Sequence, residues 1–586
     1  MNGRDGISSI DTDFDSLLID STTADFNGRN GILLSNYDGD LLSITGSTTN
    51  NNTGAGLVLE NYINSSGNGI DAALTSFNSI GNGQTGISVE NGTGNLALAG
   101  INANQNGGDG LSLIDWTTSA DQLVSIESGA GAARFFSNAG SGIDVELNQG
   151  SQNLSISGAM VDNNGINGLQ VDTAGVGTEL DLDIVDNFSI SNNVVEGIDV
   201  TATAGSEIDL EISQTNAFGS TLLVDGNGSA ALMLTATGTG AESLIDARVS
   251  DAQLSGSETS PGRGLRAESL EDGLILLRGE DLAVQDNTTG VSILVENNGN
   301  SSQPNRFEFD RLNINNNDGS GVILFSMADS QVLLAVENST IDATNSLIFG
   351  QTGPVFVENT IEANFSGISV LAEGANNLTR AVFTGNTIAR ADQGGIRLEA
   401  SDTSQVFADI VDNNLAFNGF GAIGVGGFGV DPFFSGIEAL ASNNAQLSYR
   451  ATDNVVNNNL EFGVNQVAMG NSTILASLQG NDFTDNDIAD DPTTLFAENN
   501  GIDVNFVNGA NANTILSLSN NTFDPTTAIL LNNGAAGQLE VALDGLTNGP
   551  GVGLGDIATP FTPGVFGTTG VVEFGNVESM FDAAGF

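Results

Sequence analysis

One short phrase recurs along this chain at a nearly fixed spacing. Its clearest copy is Asn163–Asp172, where polar turn residues lead to a glycine and then to an apolar–polar–apolar triplet, Gly168-Leu169-Gln170-Val171. Earlier copies are Gly31-Ile32-Leu33-Leu34, Gly56-Leu57-Val58-Leu59, Gly86-Ile87-Ser88-Val89 and Gly110-Leu111-Ser112-Leu113. Gly142-Ile143-Asp144-Val145 and Gly197-Ile198-Asp199-Val200 flank it, and Gly367-Ile368-Ser369-Val370 and Gly501-Ile502-Asp503-Val504 follow. Neighbouring copies mostly stand 24 to 34 residues apart. A period of that size marks a repeat architecture, in which a unit buries its apolar face only by stacking on the next.

Each period holds three strand-like runs. The first is the glycine-led triplet. A second follows, as in Leu154-Ser155-Ile156, Leu180-Asp181-Leu182-Asp183-Ile184 and Ile208-Asp209-Leu210-Glu211-Ile212. The third is led by Asn, as in Asn386-Thr387-Ile388, Asn481-Asp482-Phe483 and Asn521-Thr522-Phe523. Alternation over four to six residues predicts half-buried strands, and the Asn, Gly and Asp between them tolerate the positive φ of tight turns. Three strands and three turns make one rung of a three-faced coil. Stacked ~4.8 Å apart, the rungs give three parallel sheets with Ile, Val and Leu inside. The turn Asn residues then lie above one another and exchange amide hydrogen bonds.

Composition narrows the function. The 72 acidic residues are an ordinary number for 586; the net charge of −59 comes from having only 13 basic residues, all Arg, and no Lys or His. Such a surface cannot neutralise a run of phosphates, so nucleic acid and anionic membranes are excluded as partners, and counter-cations are the expected company. Without Cys there is no disulfide framework or thiolate chemistry. No apolar run reaches the ~18 residues of a membrane span. The first residues carry no signal peptide; Asn2-Gly3-Arg4-Asp5-Gly6-Ile7 reads like the repeat itself, compare Asn27-Gly28-Arg29-Asn30-Gly31-Ile32. The chain is therefore expected to begin inside a coil, with an uncapped edge open to self-association or to a continuation of a longer chain.

The pattern Asn-x-Ile…Asn-Gly-x-x-Gly-Ile-x-Val resembles the right-handed parallel β-helix repeat of the pectate-lyase-like superfamily and its non-enzymatic surface and adhesin-type relatives. The resemblance implies an all-β solenoid of nineteen to twenty coils of about 28 residues over residues 1–545, with loop insertions near 417–436 and 485–500. Residues 546–586, rich in Gly and Pro, form a tail suited to capping one end. The fold hosts lyases, hydrolases, adhesins and fibres alike, so function has to come from side chains.

The superfamily's hydrolases use clustered Asp with Gly-His-Gly and Arg-Ile-Lys elements, neither of which this chain can supply; Asp490-Asp491 is the one echo of their Asp pair. Its lyases use a basic residue beside calcium. Arg248, Arg263, Arg266, Arg278, Arg306 and Arg311 gather in one stretch, where Arg266 would be the base and Arg278 or Arg306 a carboxylate binder. The plainer reading pairs these Arg with Glu268, Glu271, Glu280 and Asp281. Trp116, Tyr37, Tyr62 and Tyr449 are too scattered for a sugar platform, and the Phe cluster at 417, 420, 428, 433 and 434 reads as a loop packed on itself.

The sharpest local feature is acidic. Glu179, Asp181 and Asp183 alternate with Leu180, Leu182 and Ile184, and one period later Glu207, Asp209 and Glu211 alternate with Ile208, Leu210 and Ile212. Six carboxylates then form two stacked outward rows, which Ca²⁺ would relieve and which a solvated acidic face would also satisfy. Together these features describe a secreted or cell-surface bacterial β-helix serving as a structural or adhesive spacer. The alternative is a polysaccharide lyase or glycoside hydrolase.

Overall fold

The alternating runs become strands because each offers one apolar row to an interior and one polar row to water. The computed structural model describes residues 3–13, 15–62, 70–213, 222–256, 262–296, 303–315, 317, 319–327, 329–342, 366–389, 391, 394–416, 418, 435–459, 462–484, 486, 502–509, 511–523, 528–533, 538–544 and 547–548. Among these residues there is no helix, and each strand pairs in parallel with its counterpart one repeat away. The fold is a parallel β-helix. Phe417, Phe420, Phe428, Phe433, Phe434, the Asp490-Asp491 pair and residues 549–586 lie outside the described residues.

The chain divides into two compact units, Met1–Asn287 with Asn300–Gln303, and Thr288–Gly299 with Pro304–Phe586. In the first unit the glycine-led strands stack Ile32, Leu57, Ile87, Leu111, Ile143, Leu169, Ile198, Leu232 and Leu265 into one inward column. The second strands stack Leu42, Ala72, Leu96, Val124, Leu154, Leu182, Leu210, Ala247 and Leu277 in the same way. Almost every side chain in the two columns is fully buried, which is the repeat's main source of hydrophobic stabilisation. The second unit repeats the device with Val291, Val322, Ile368, Ile396, Ile437, Val464 and Val504.

The expected amide stacking is present. In the first unit, Asn27, Asn52, Asn82, Asn106, Asn138, Asn164, Asn193 and Asn227 form a buried ladder at the turn after the third strand. Each Nδ2 donates to the next Oδ1 at 2.9–3.1 Å. Each backbone N–H donates to the same oxygen, so one side chain satisfies both the turn and its neighbour. Exposed turn positions hold the left-handed conformation with residues suited to it, such as Asn36 (φ 53°), Asn61 (φ 55°) and Asn91 (φ 52°).

An aromatic column completes this interior. Tyr62 stacks on Tyr37 with centroids 5.1 Å apart, and Trp116 lies 6.4 Å from Tyr62. The rung between them carries Gly92, where an added Cβ would sit 2.1 Å from the indole. The glycine is there for space.

One expectation needs correction. The three-strand rhythm fails at Ala230–Ser250 and Arg263–Glu280, where the first and second strands run together into a single long strand. The two long strands pair with a register shift between Gly238 and Ser243, and Gly240 turns with φ 86°. Glycine there lets the chain bend around the corner, where the pairing lapses over residues 239–242 and resumes at Ser243.

Candidate functional site

Alternation places the six predicted carboxylates as expected. Strands Glu179–Val185 and Glu207–Ser213 pair in register, setting Glu179 beside Glu207, Asp181 beside Asp209 and Asp183 beside Glu211. Leu180, Leu182, Ile184, Ile208, Leu210 and Ile212 point inward and are buried. Three of the carboxyls, Asp183, Glu207 and Asp209, are held above the ordinary carboxylate range. Partial burial, then Asp181, Glu211 and Asp209, push Asp183 up; burial, then Asp181, Asp246 and Glu211, do the same for Asp209. Glu207 is raised by burial and by Glu179, Asp209 and Asp246.

The neighbouring rungs bound the array. Ser151, Asn153 and Ser155 precede it, and the rung after it adds Asp246 beside Asp209 and Arg248 beside Glu211. All these side chains spring from one flat sheet, so they stand side by side instead of converging. Among the described residues no three acidic side chains are drawn together around a single ion position.

The ladder lies on the second face, formed by the second strands; another polar face, the first, lies on the glycine-led strands of the same unit, and the sequence pattern did not single it out. Register puts Asp144, Gln170, Asp199, Met233 and Arg266 in one outward row on successive strands. Glu146 and Asp172 stand in the adjoining row. Asp144 is pushed up to about 7 by burial and then by Asp109, Glu146 and Asp172. Asp199 also rises to about 7, by burial and then by Glu196 and Asp172, against weaker opposition from Asn167 and Arg266.

The surrounding hydrogen bonds hold this face in place. Gln170 accepts from Ser141 Oγ at 3.2 Å and donates to Asp172 at 2.8 Å. Asn167 donates to Asp199 Oδ2 at 3.3 Å and accepts the backbone N–H of Glu196 at 3.0 Å. Asp199 Oδ1 is enclosed and meets no hydrogen-bond partner among the described residues. Asp144 and Asp199 are two strand steps apart, about 10 Å along the stack. The signal was present in the sequence: the variable position of the Gly-Ile-x-Val phrase is Asp in both copies.

The predicted arginine cleft is not assembled as one site in this unit. Arg266 is on the first face, with its Nε 2.6 Å from Glu268. Arg278 belongs to the far part of the same long strand and stands beside Arg248 on the second face. Arg248 meets Glu280 at 3.8 Å. In the second unit Arg306 pairs with Glu308, Nε to Oε1 2.5 Å. Arg248 and Arg266 therefore follow the plainer reading, paired with Glu280 and Glu268, while Arg306 is paired with Glu308, a partner outside it.

No protein-family model matches this chain, and no curated protein matches it either. A search of solved structures finds the crystal structure of pectate lyase Pel9A, which is 15% identical, with 60% of this chain and 74% of that one covered and a TM-score of 0.31. That likeness concerns the fold alone. No helix among the described residues is long and apolar enough to cross a membrane.

Proposed function

We propose that this chain is a non-catalytic, secreted or cell-surface β-helix, a structural or adhesive spacer whose acidic second face holds divalent cations of the Ca²⁺ type. The in-register stacking of Glu179, Asp181 and Asp183 on Glu207, Asp209 and Glu211 carries this reading. Two rows of carboxylates ~5 Å apart repel by roughly 1 kcal/mol per pair in water and by more near a protein surface. A hard divalent cation relieves that repulsion only in the folded state.

The test is thermal unfolding with and without Ca²⁺ at matched ionic strength. For a weak site of Kd about 10⁻⁴–10⁻³ M, ~10 mM Ca²⁺ adds roughly 1.4–2.7 kcal/mol. The fourfold variant Asp181→Asn, Asp183→Asn, Asp209→Asn, Glu211→Gln loses that increment and gains stability in chelator. Equal responses of variant and wild type to Ca²⁺ would reduce the array to a solvated face.

A second reading, glycan cleavage, is favoured by Asp144 and Asp199, two half-buried carboxyls with raised proton affinity in the outward row that also holds Arg266, two strand steps beyond Asp199. Groups of that kind supply general acid and base chemistry near neutral pH. Incubation with pectate, alginate and neutral glycans, followed by assay for reducing and unsaturated ends, separates the readings. The spacer releases neither, and turnover abolished by Asp199→Asn would install the enzyme reading in its place.

A further inference from the structure

The first face of unit one concentrates acid with almost nothing to balance it. Asp144 is faced by Asp109 from the turn before the preceding strand, by Glu146 on its own strand and by Asp172 on the next. Asp199 is faced by Glu196 from the turn that leads into its strand, by Asp172 from the preceding strand and by the Asn167 amide. The following strand contributes only Met233 and Thr235 to these rows, which carry no charge. Arg266 and Arg263, one strand further, are the nearby cations; Arg266 is already bonded to Glu268, and Arg263 feels both Arg266 and Glu268.

Register fixes these groups in place. Parallel rungs hold each outward side chain over its neighbour, so the acids cannot spread apart without breaking strand pairing. The enclosed Oδ1 of Asp199 has no donor to meet among the described residues, an arrangement that costs a carboxylate more than a neutral acid.

We propose that this face is a proton-operated clasp: strand register holds Asp144 and Asp199 against Asp109, Glu146, Asp172 and Glu196, with Asp199 Oδ1 enclosed, so unit one tightens when the two carboxyls are protonated and loosens when they ionise. This goes beyond the cation-holding spacer and involves different residues from the ladder of Glu179–Val185 and Glu207–Ser213.

The linkage has a definite sign. Both groups move from an ordinary 3.8 to about 7 on folding. The folded state therefore binds protons more tightly than the unfolded chain. The stabilisation is complete below the unfolded value and is lost as the pH rises through about 7. Between those limits each group changes the unfolding constant by at most about tenfold per pH unit.

Trp116 makes the effect readable in the full chain. It is the one Trp, it is fully buried, and its strand neighbour Leu111–Ile114 pairs directly with the strand of Asp144. Denaturant unfolding followed by Trp116 emission is run from pH 5 to pH 8.5 on wild type, Asp144→Asn/Asp199→Asn, and the control Asp181→Asn/Asp209→Asn. The first variant is expected to exceed wild type already at pH 5, by a margin that grows up to about pH 7 and stays constant above it, so that its slope between pH 5 and 7 is flatter. The control is expected to keep the wild-type slope above pH 6.

Carbon-detected titration of the Asp side chains is the second measurement, since it does not depend on unfolding being two-state. It is expected to show two carboxyls with midpoints near 7 that disappear in the first variant. Midpoints below 5 for both groups, or an unchanged pH slope in that variant, would overturn the proposal.

Discussion

The corner between the second and third strands is built twice in this molecule, from different chemistry. In the first unit it is filled by Phe77, Ile101, Ala133, Ala159, Phe188, Leu222, Ala252 and Leu282, all buried. In the second unit the corresponding corner holds Asn386, Asn413, Asn454, Asn481 and Asn521, equally buried. There each Nδ2 donates to the next Oδ1 at 2.8–3.0 Å. The first unit keeps its amide ladder at the corner after the third strand, where the second unit also has Asn418, Asn459 and Asn486. A parallel coil thus needs a stackable column at each turn, and either hydrocarbon or amide serves. The two differ in what they tolerate. Hydrocarbon packs without direction, whereas an amide column works only if every member both donates and accepts.

Substitution can break this comparison, most forcefully at Asn454→Leu. That change removes the acceptor for the Asn413 backbone and side-chain amides and the donor to Ile410 and Asn481. Buried groups left unpaired make the expected loss about 3–5 kcal/mol despite the similar volume, measured as lost hydrogen-exchange protection in the strands around 446–484. Gly92→Ala comes next. Its Cβ would meet the Trp116 ring, and overpacking of this kind costs about 1–3 kcal/mol, read by denaturant unfolding with Trp116 emission. Phe188→Leu, an apolar change in the apolar corner, should be mildest at about 1 kcal/mol by the same measurement. If Asn454→Leu costs no more than Phe188→Leu, the amide column is only filler.

Much of this was legible in the sequence because one residue type answers one physical demand at each place. The Ile, Val and Leu of the glycine-led phrase can only be an inward row, and Glu179, Asp181 and Asp183 can then only face out. Stacking of the Asn residues followed from their recurrence. The choice of corner did not, since a turn Asn before Thr387 and one after Ala416 look alike until register is known. The long strands Ala230–Ser250 and Arg263–Glu280 were hidden for a related reason: alternation does not show that the chain, after bending between Gly238 and Ser243, resumes pairing with the same neighbour. Asp144 and Asp199 belong to repeats 55 residues apart in sequence, and only stacking brings them onto one face. The arginine stretch misled in the opposite sense. Arg266 and Arg278 are close in sequence, but the corner between them sends them to different faces.

The buried amides of Asn27 through Asn193 all point the same way along the stack, each giving one side-chain N–H to the amide oxygen of the following rung, and the run ends at Asn227, which accepts from Asn193. Every link is made with an immediate neighbour, and the spacing between linked residues ranges from 24 to 34 without disturbing the contact. The coupler is therefore indifferent to how much chain lies between two rungs and sensitive only to whether a whole rung is present. Such a molecule can be lengthened or shortened in quanta: removing one complete circuit lets the flanking amides re-engage, while removing half a circuit leaves a donor facing hydrocarbon.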